Sequence, residues 1–200
     1  MTRGGTDGLK QQLWAEAMRH GLGQAEEVLA IADGGVWIWN IVKDRFPHAR
    51  QRLDPWHGLE HLWAAAHALH PEDEAAAAAW IKPLKEKLLA GDGIEVIDSL
   101  DDLIKKLRGA RREAVQAERN YLDNNRDRLD YKGAKERGEP LGSGAMESTC
   151  KQYQPRFKRS GQFWTQEGDE ALMCLETFWK NGRWSLLFPH VPPDFDPSKN

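Results

Sequence analysis

The 200-residue chain is 40% apolar and 30% charged, a balance that supports a folded core and excludes a wholly disordered chain. Its 28 lysines and arginines against 31 acids give a net charge of −3, which excludes a uniformly basic nucleic-acid binder. Any DNA contact must therefore come from a local patch. Two cysteines make no disulfide framework, and the sequence has no signal peptide and no apolar run of membrane-spanning length. We expect one medium domain, or one with a large insertion, in the cytoplasm and without a membrane partner.

The first third of the chain predicts a helix and then a buried strand that ends in a carboxylate. Apolar spacing predicts an amphipathic helix over Leu9–His20. Residues 27–32 form a short apolar run, followed by Asp33, Gly34 and Gly35. A buried strand that ends in Asp places a carboxylate at the carboxyl edge of a sheet, where sites in open α/β sheets gather. The alternative is an Asp that caps a tight turn.

A second strand follows the next helix. Residues 36–46 predict a helix in which Trp37 packs inward and Trp39 is partly exposed. Residues 50–53 then predict a strand parallel to the first, because an intervening helix makes a strand–helix–strand unit. This strand is followed by Asp54.

Most of the remaining chain predicts helix. Apolar residues recur with a period near 3.6 after Trp56, and Pro71 fits the first turn of another helix. Further helices are predicted over residues 94–107, 111–125 and 165–180, with Thr165 as the amino-terminal cap of the last. The sequence therefore predicts a mostly α protein with a small parallel β remnant.

The most distinctive stretch covers residues 141–164. Ser143 can cap a helix that carries Glu147 in or near its first turn, where the helix dipole favours a negative charge. Aromatic side chains alternate with four cations further along the stretch: Lys151, Arg156, Lys158 and Arg159. A carboxylate beside a basic, aromatic surface suits metal-assisted chemistry on a phosphodiester. The alternative is an ordinary first-turn acid followed by a solvated charged face.

Two segments of this stretch resemble a known family. Gly-Ser-Gly-Ala-Met-Glu-Ser-Thr-Cys (142–150) and Arg-Phe-Lys-Arg-Ser-Gly-Gln-Phe-Trp (156–164) are similar to the block around the catalytic Glu of Kra-type bacterial insertion-sequence transposases, which are allied to the Mutator-like transposases. The resemblance extends over residues 13–70 and 164–190. It implies an RNase H-like catalytic domain with an Asp-Asp-Glu triad that uses Mg²⁺ or Mn²⁺ to cleave DNA and transfer strands.

The resemblance assigns roles to particular residues. Asp33 matches the second catalytic Asp at the end of the fourth strand, and Glu147 matches the catalytic Glu after an all-helical insertion, so both are expected to be metal ligands. The four cations are the expected DNA contacts. No residue in 1–26 resembles the first catalytic Asp. The chain thus resembles a carboxyl-terminal portion, a truncated RNase H-like fold expected to be inactive alone.

The resemblance also implies an organisation and a set of partners. Residues 1–57 would form a partial RNase H-like half, 58–139 the helical insertion, and 140–200 the carboxyl-terminal helices. Expected partners are DNA, as transposon ends and target, together with the missing amino-terminal part or a second copy of the chain, in a nucleoid-associated setting. The alternative function is a non-catalytic DNA-binding remnant of a decayed insertion element.

The residues that follow the second predicted strand suggest two further possibilities. Asp54 and His57 resemble an Asp-x-x-His motif of the Mutator-like relatives, which implies a supporting role beside the metal ligands. His57-Gly58-Leu59-Glu60-His61 also spells the H-x-x-E-H signature of inverted zinc peptidases. Because His57 and His61 lie four residues apart, one helix face would present both to Zn²⁺. That motif needs a distant third ligand, which the sequence does not identify.

Overall fold

The computed structural model describes residues 5–157, 161 and 163–190, without the side chain of Arg156. Its contacts divide the chain into two compact units. The amino-terminal unit is Thr6–Gly144, and the carboxyl-terminal unit comprises the described residues from Ala145 onward. The described chain is mostly helical with a small parallel sheet, which confirms the predicted fold class at that level.

The amino-terminal unit begins with a strand–helix–strand unit. After α1 (Thr6–Arg19), β1 (Leu29–Ala32) is followed by α2 (Val36–Arg45) and β2 (Arg50–Leu53). The strands are parallel, as predicted, and their register pairs Leu29 with Arg50 and Ala32 with Leu53. The two strands therefore end at the same edge of the sheet.

A bundle of helices follows the second strand. Asp54 caps α3, because its side chain accepts a hydrogen bond from the Trp56 amide. Pro55 occupies the first turn, where proline is favourable, so α3 begins directly after β2. The helices of the bundle are α3 (Pro55–Leu69), α4 (Glu74–Ala90), α5 (Gly93–Ile104), α6 (Gly109–Asn124) and α7 (Tyr131–Glu136). The predicted start of α4 at Pro71 is wrong, because Asp73 accepts from the Ala76 amide at 2.9 Å and caps the helix there.

The hydrophobic core of this unit lies between the helices of the bundle and the end of β2. Helix α3 packs against both α4 and α6, and α5 packs against α6. Fully buried core residues include Leu53, Leu62, Leu88, Leu100 and Leu122. Burial of each such side chain contributes about 1.5–3 kcal/mol, so the bundle and the strand end form one cooperative core.

The prediction for the two tryptophans of α2 is wrong. Trp39 is buried, with 4% of its surface exposed, whereas Trp37 is 51% exposed. The Trp39 Nε1–H donates to Asn125 Oδ1 at 3.1 Å, and the Arg128 guanidinium lies 4.4 Å from the ring centroid. The acceptor and the cation come from residues more than 80 positions away, and they determine which face of α2 is buried.

The carboxyl-terminal unit contains α8 (Gly144–Phe157), α9 (Gln166–Lys180) and α10 (Trp184–Leu187). Thr165 caps α9 as predicted, because its Oγ1 accepts from the Gly168 amide at 3.1 Å. Side chains of α8 and α9 meet where the Tyr153 and Thr177 hydroxyls lie 3.0 Å apart. None of the helices described in either unit is long and apolar enough to cross a membrane.

Candidate active site

The carboxyl edge of the sheet carries two carboxylates. Asp33 and Asp54 directly follow Ala32 and Leu53, which are paired in the register. The Asp54 amide continues this pairing, because it donates to the Ala32 carbonyl at 2.8 Å. The two acids therefore leave neighbouring strand ends at one edge, which is the place where open α/β sheets hold their sites.

Asp54 is buried and fully engaged in hydrogen bonds. Its side chain is 0% exposed. Oδ2 accepts from the Ser143 amide at 2.6 Å and from the Ser143 hydroxyl at 2.5 Å, while Oδ1 accepts from the Trp56 amide at 2.8 Å. Burial raises the pKa of Asp54, but these hydrogen bonds and the nearby His57 outweigh it and lower the pKa below its usual value. Asp54 is thus a charged anchor inside the fold.

Asp33 has a different environment. It is exposed, and its Oδ1 accepts from the Gly35 amide at 3.0 Å, so the turn interpretation of this residue describes its local geometry. Gly34 adopts a left-handed φ of +86°, and a Cβ at this position would collide with the Tyr121 hydroxyl. The turn leaves the Asp33 carboxylate exposed at the sheet edge.

The hydroxyl of Ser143 does not have the role predicted for it. The sequence predicts that it caps α8, but it donates to Asp54, 89 positions earlier. The hydroxyl donates to a buried, charged acceptor, and such charge-assisted hydrogen bonds are stronger than those between neutral groups. Ser143, the last residue before α8, is consequently held at the end of β2.

A second set of contacts holds the same returning segment along β2. Arg52 is 3% exposed and donates to the Pro140 carbonyl at 2.6 Å and to Glu139. Arg50 Nη2 also lies 2.6 Å from Glu139 Oε1. Arg137 and Arg52 together lower the pKa of Glu139 to about 2. Sequence analysis missed this clamp, although two arginines at alternate positions of a four-residue strand were a usable signal.

A residue of the helical bundle, Tyr121, contacts the Asp33 turn and was also missed. Tyr121, on α6, donates from its hydroxyl to the Asp33 carbonyl at 2.5 Å. The imidazole of His61 stacks on the Tyr121 ring with 3.4 Å between centroids, and its Nδ1 lies 2.5 Å from Glu118 Oε2. Only the fold brings Tyr121 to Asp33, because nothing in its local sequence distinguishes it from an ordinary helix residue. His61 was named from the H-x-x-E-H signature, which did not predict its stack on Tyr121.

The two histidines of the H-x-x-E-H signature each have a glutamate partner. His57 Nδ1 lies 2.9 Å from Glu60 Oε2, and His61 pairs with Glu118 as described above. Within residues 5–157, 161 and 163–190, no group of three or more His, Cys, Asp or Glu is arranged to hold a metal ion. His57 lies near Asp54, whose pKa it helps to lower, and therefore lies beside the carboxyl edge of the sheet.

The expected site residues of the second unit lie on and after α8. Glu147 is exposed in the first turn, and Lys151 Nζ lies 3.8 Å from its Oε2. Arg156 belongs to α8, but its side chain is outside the described part of the chain, as are Lys158 and Arg159 altogether. The contacts of these three cations therefore stay predictions.

The opposite edge of the sheet has a cavity. It measures about 640 Å³ and lies at the amino ends of both strands, next to Val28 and Ala49. Trp14 and Phe46 form part of its wall, with 5.8 Å between their ring centroids. The predicted site residues Asp33 and Asp54 lie at the other edge, so this cavity is separate from the carboxylates.

Comparison with models of protein families, with curated proteins and with solved structures found no match to this chain. The chemistry of the sheet edge itself can be tested against the implied metal. Mg²⁺ and Mn²⁺ prefer oxygen ligands, and Asp33 offers an exposed carboxylate, so the donor type fits. Asp54 uses both of its oxygens inside the fold and acts as a support.

Proposed function

We propose that this chain is the carboxyl-terminal part of a DDE transposase catalytic domain with a truncated RNase H-like fold. In the intact enzyme the reaction would be metal-dependent DNA cleavage and strand transfer. The observation that carries the proposal is the contact between Ser143 and Asp54. It brings the start of the motif that resembles the catalytic-Glu block back to the sheet edge where Asp33 and Asp54 lie.

The course of the chain between these two residues supports the proposal. Residues 55–136 leave the sheet edge, form five helices with a shared core and return to the same edge at residues 139–143. That is the arrangement expected of an all-helical insertion between a strand of an RNase H-like sheet and the helix that carries the catalytic Glu. The clamp of Arg50 and Arg52 on Glu139 fixes the point of return.

The proposed roles follow from chemistry and environment. Asp33 and Glu147 are metal ligands, since both are exposed carboxylates. When bound, Mg²⁺ or Mn²⁺ activates the attacking hydroxyl and stabilises the leaving oxygen of an in-line displacement. Asp54 supports the edge through its three hydrogen bonds, and His57 supports Asp54 electrostatically. Lys151, Arg156, Lys158 and Arg159 contact phosphates of the transposon ends or target.

The open sheet is compatible with further strands. In the described part of the chain β1 pairs only with β2, and its four residues are all half-buried. Parallel strands are normally covered and paired on both sides, and a two-stranded sheet is marginal by itself. Strands that carry the first catalytic Asp would complete the sheet, and a separate amino-terminal part or a second copy of the chain could supply them.

A salt titration of DNA binding tests the DNA part of the proposal. Changing Arg156, Lys158 and Arg159 to Ala should weaken binding to any DNA sequence, with the slope of log K against log salt falling by about one per lost phosphate contact. A control that changes Lys82, Lys85 and Lys106, exposed residues of the amino-terminal unit, removes the same charge elsewhere. Equal slopes for the two triple variants would show that the basic run is a solvated face.

A reconstitution tests the catalytic part. The 200-residue chain alone should not cut DNA, because divalent binding scales with the number and charge of the ligands. With the amino-terminal strands added in trans or by fusion, cleavage should appear and should be lost in Asp33→Asn and in Glu147→Gln, while DNA binding is retained. DNA binding without cleavage in every combination would favour the non-catalytic remnant. Cleavage that survives Asp33→Asn would overturn the assignment of the triad.

A further inference from the structure

A side chain from outside the sheet, that of Tyr121, holds the turn that presents Asp33. The Tyr121 hydroxyl donates to the Asp33 carbonyl at 2.5 Å, and Asp33 Oδ1 in turn accepts from the Gly35 amide at 3.0 Å. The backbone carbonyl and the carboxylate of one residue are thus fixed by separate donors. Loss of the first bond would free the peptide that connects β1 to the turn, and the carboxylate would move with it.

The hydroxyl of Tyr121 is the donor in this bond, because a backbone carbonyl oxygen only accepts hydrogen bonds. Gly34 leaves the space that the hydroxyl occupies, since a Cβ there would meet it.

The ring of Tyr121 is itself held in place. His61, on α3, stacks on it with an interplanar angle of 19°. His61 Nδ1 also lies 2.5 Å from Glu118 Oε2. Glu118 and Tyr121 both lie on α6, so this pair and this stack fix the tyrosine between two helices of the bundle.

We propose that Tyr121 is a positioning residue for Asp33, so that the helical bundle sets the orientation of the carboxylate at the sheet edge. The importance of that orientation for metal chemistry rests on the proposed function above. The bond from Tyr121 to the turn does not, because it can be tested in the chain without metal. Groups behind a metal ligand typically change metal affinity by about tenfold or more when they are removed.

Amide hydrogen exchange in the metal-free 200-residue chain tests the bond to the turn. The Gly35 amide reports on Asp33, and the Trp56 amide, which donates to Asp54 Oδ1 at 2.8 Å, reports on the other strand end. Tyr121→Phe keeps the ring and its stack but removes the donor. Exchange at Gly35 should become about twofold to tenfold faster, while exchange at Trp56 is unchanged.

Tyr131→Phe is the matched control, since the Tyr131 hydroxyl donates to the Leu53 carbonyl at 3.1 Å, at the end of β2. Tyr131→Phe should not accelerate amide exchange at Gly35 more than at Trp56. If Tyr121→Phe accelerates both amides equally, it acts through overall stability and the inference is overturned. Unchanged exchange at Gly35 would also overturn it.

Iron-directed backbone cleavage adds a readout that depends on metal. Fe²⁺ with ascorbate and peroxide, at an iron concentration high enough to load the weak site of the chain alone, should cut the chain beside residue 33, and Asp33→Asn should abolish the cut. Tyr121→Phe should reduce it about tenfold, and Tyr131→Phe should leave it intact. A cut that depends on Asp33 but not on Tyr121 overturns the positioning role alone. The absence of any cut that depends on Asp33 would overturn the proposed metal site as well.

Discussion

The two strand ends at the carboxyl edge carry the same residue type in opposite environments. Asp33, after β1, is exposed and makes one hydrogen bond through its carboxylate to its own turn. Asp54, after β2, is buried and binds a segment that returns from 89 positions away. A carboxylate that has all its hydrogen bonds inside the fold stabilises structure, whereas one that keeps its face toward solvent remains available for a ligand.

Substitution of the two acids by Ala should give the largest contrast. Asp54→Ala removes a helix cap and leaves the Ser143 donors without their charged partner, so unfolding free energy should fall by about 2–4 kcal/mol. Asp33→Ala should lower it by less than about 1 kcal/mol, since the side chain is exposed. Urea unfolding of both variants measures the difference. Equal losses would show that the two strand ends do not differ in this way.

The clamp beside Asp54 should contribute less. Arg52→Ala leaves the Pro140 carbonyl without this donor and removes one of the cations that hold Glu139, although Arg50 and Arg137 still pair with Glu139. We expect a loss of about 1–3 kcal/mol in the same unfolding experiment. Lys82→Ala, an exposed cation of α4, serves as the control and should stay within about 0.5 kcal/mol of the unaltered chain.

Ser143 makes two separate hydrogen bonds to Asp54, one from its amide and one from its hydroxyl. Ser143→Ala keeps the bond from the amide but loses the one from the hydroxyl, so it should cost about 1 kcal/mol, less than Asp54→Ala. Ser143→Thr retains a hydroxyl and should recover part of the loss. A Ser143→Ala chain as stable as the original would mean that the amide bond alone holds the segment.

The smallest expected effect is on acid stability. The pKa of Glu139 is lowered from 4.5 to about 2 in the folded chain, so the unfolded chain binds more protons between these values. Stability should therefore be fully present above about pH 4.5 and fall as the pH drops toward 2. Glu139→Gln should reduce the steepness of that fall by a fraction of one proton, as measured by urea unfolding at several pH values. An unchanged slope would contradict the role of Glu139 in the clamp.

Local patterns in the sequence were enough for the sheet but not for its surroundings. The sequence predicted two parallel strands that end at one edge of a sheet. The prediction came from an apolar run that is followed by Asp33 and two glycines, then a helix, then a short strand before Asp54. These signals depend on periodicity and turn chemistry, which act over a few residues. The positions of both carboxylates at the edge therefore followed from the sequence.

Long-range partners explain where the sequence-based predictions were wrong or incomplete. Trp39 rather than Trp37 is buried because Asn125 provides its acceptor, and Ser143 binds Asp54 in place of capping α8. Tyr121 was missed since its contact with Asp33 joins residues 88 positions apart. Neither the apolar periodicity nor a motif within one helix indicates which distant residue a side chain will contact. Tertiary contacts therefore override local preference at these positions.

The long separation between the ends of the clamp has a consequence for the order of folding. Arg52 and Pro140 meet across 88 positions, whereas the helices between them pack on one another over shorter separations along the chain. Closing so long a loop is entropically unfavourable until the helices have shortened it. We expect the bundle to form early and the clamp to close late, with substitutions at Arg52 and Ser143 mainly accelerating unfolding and leaving the folding rate nearly unchanged.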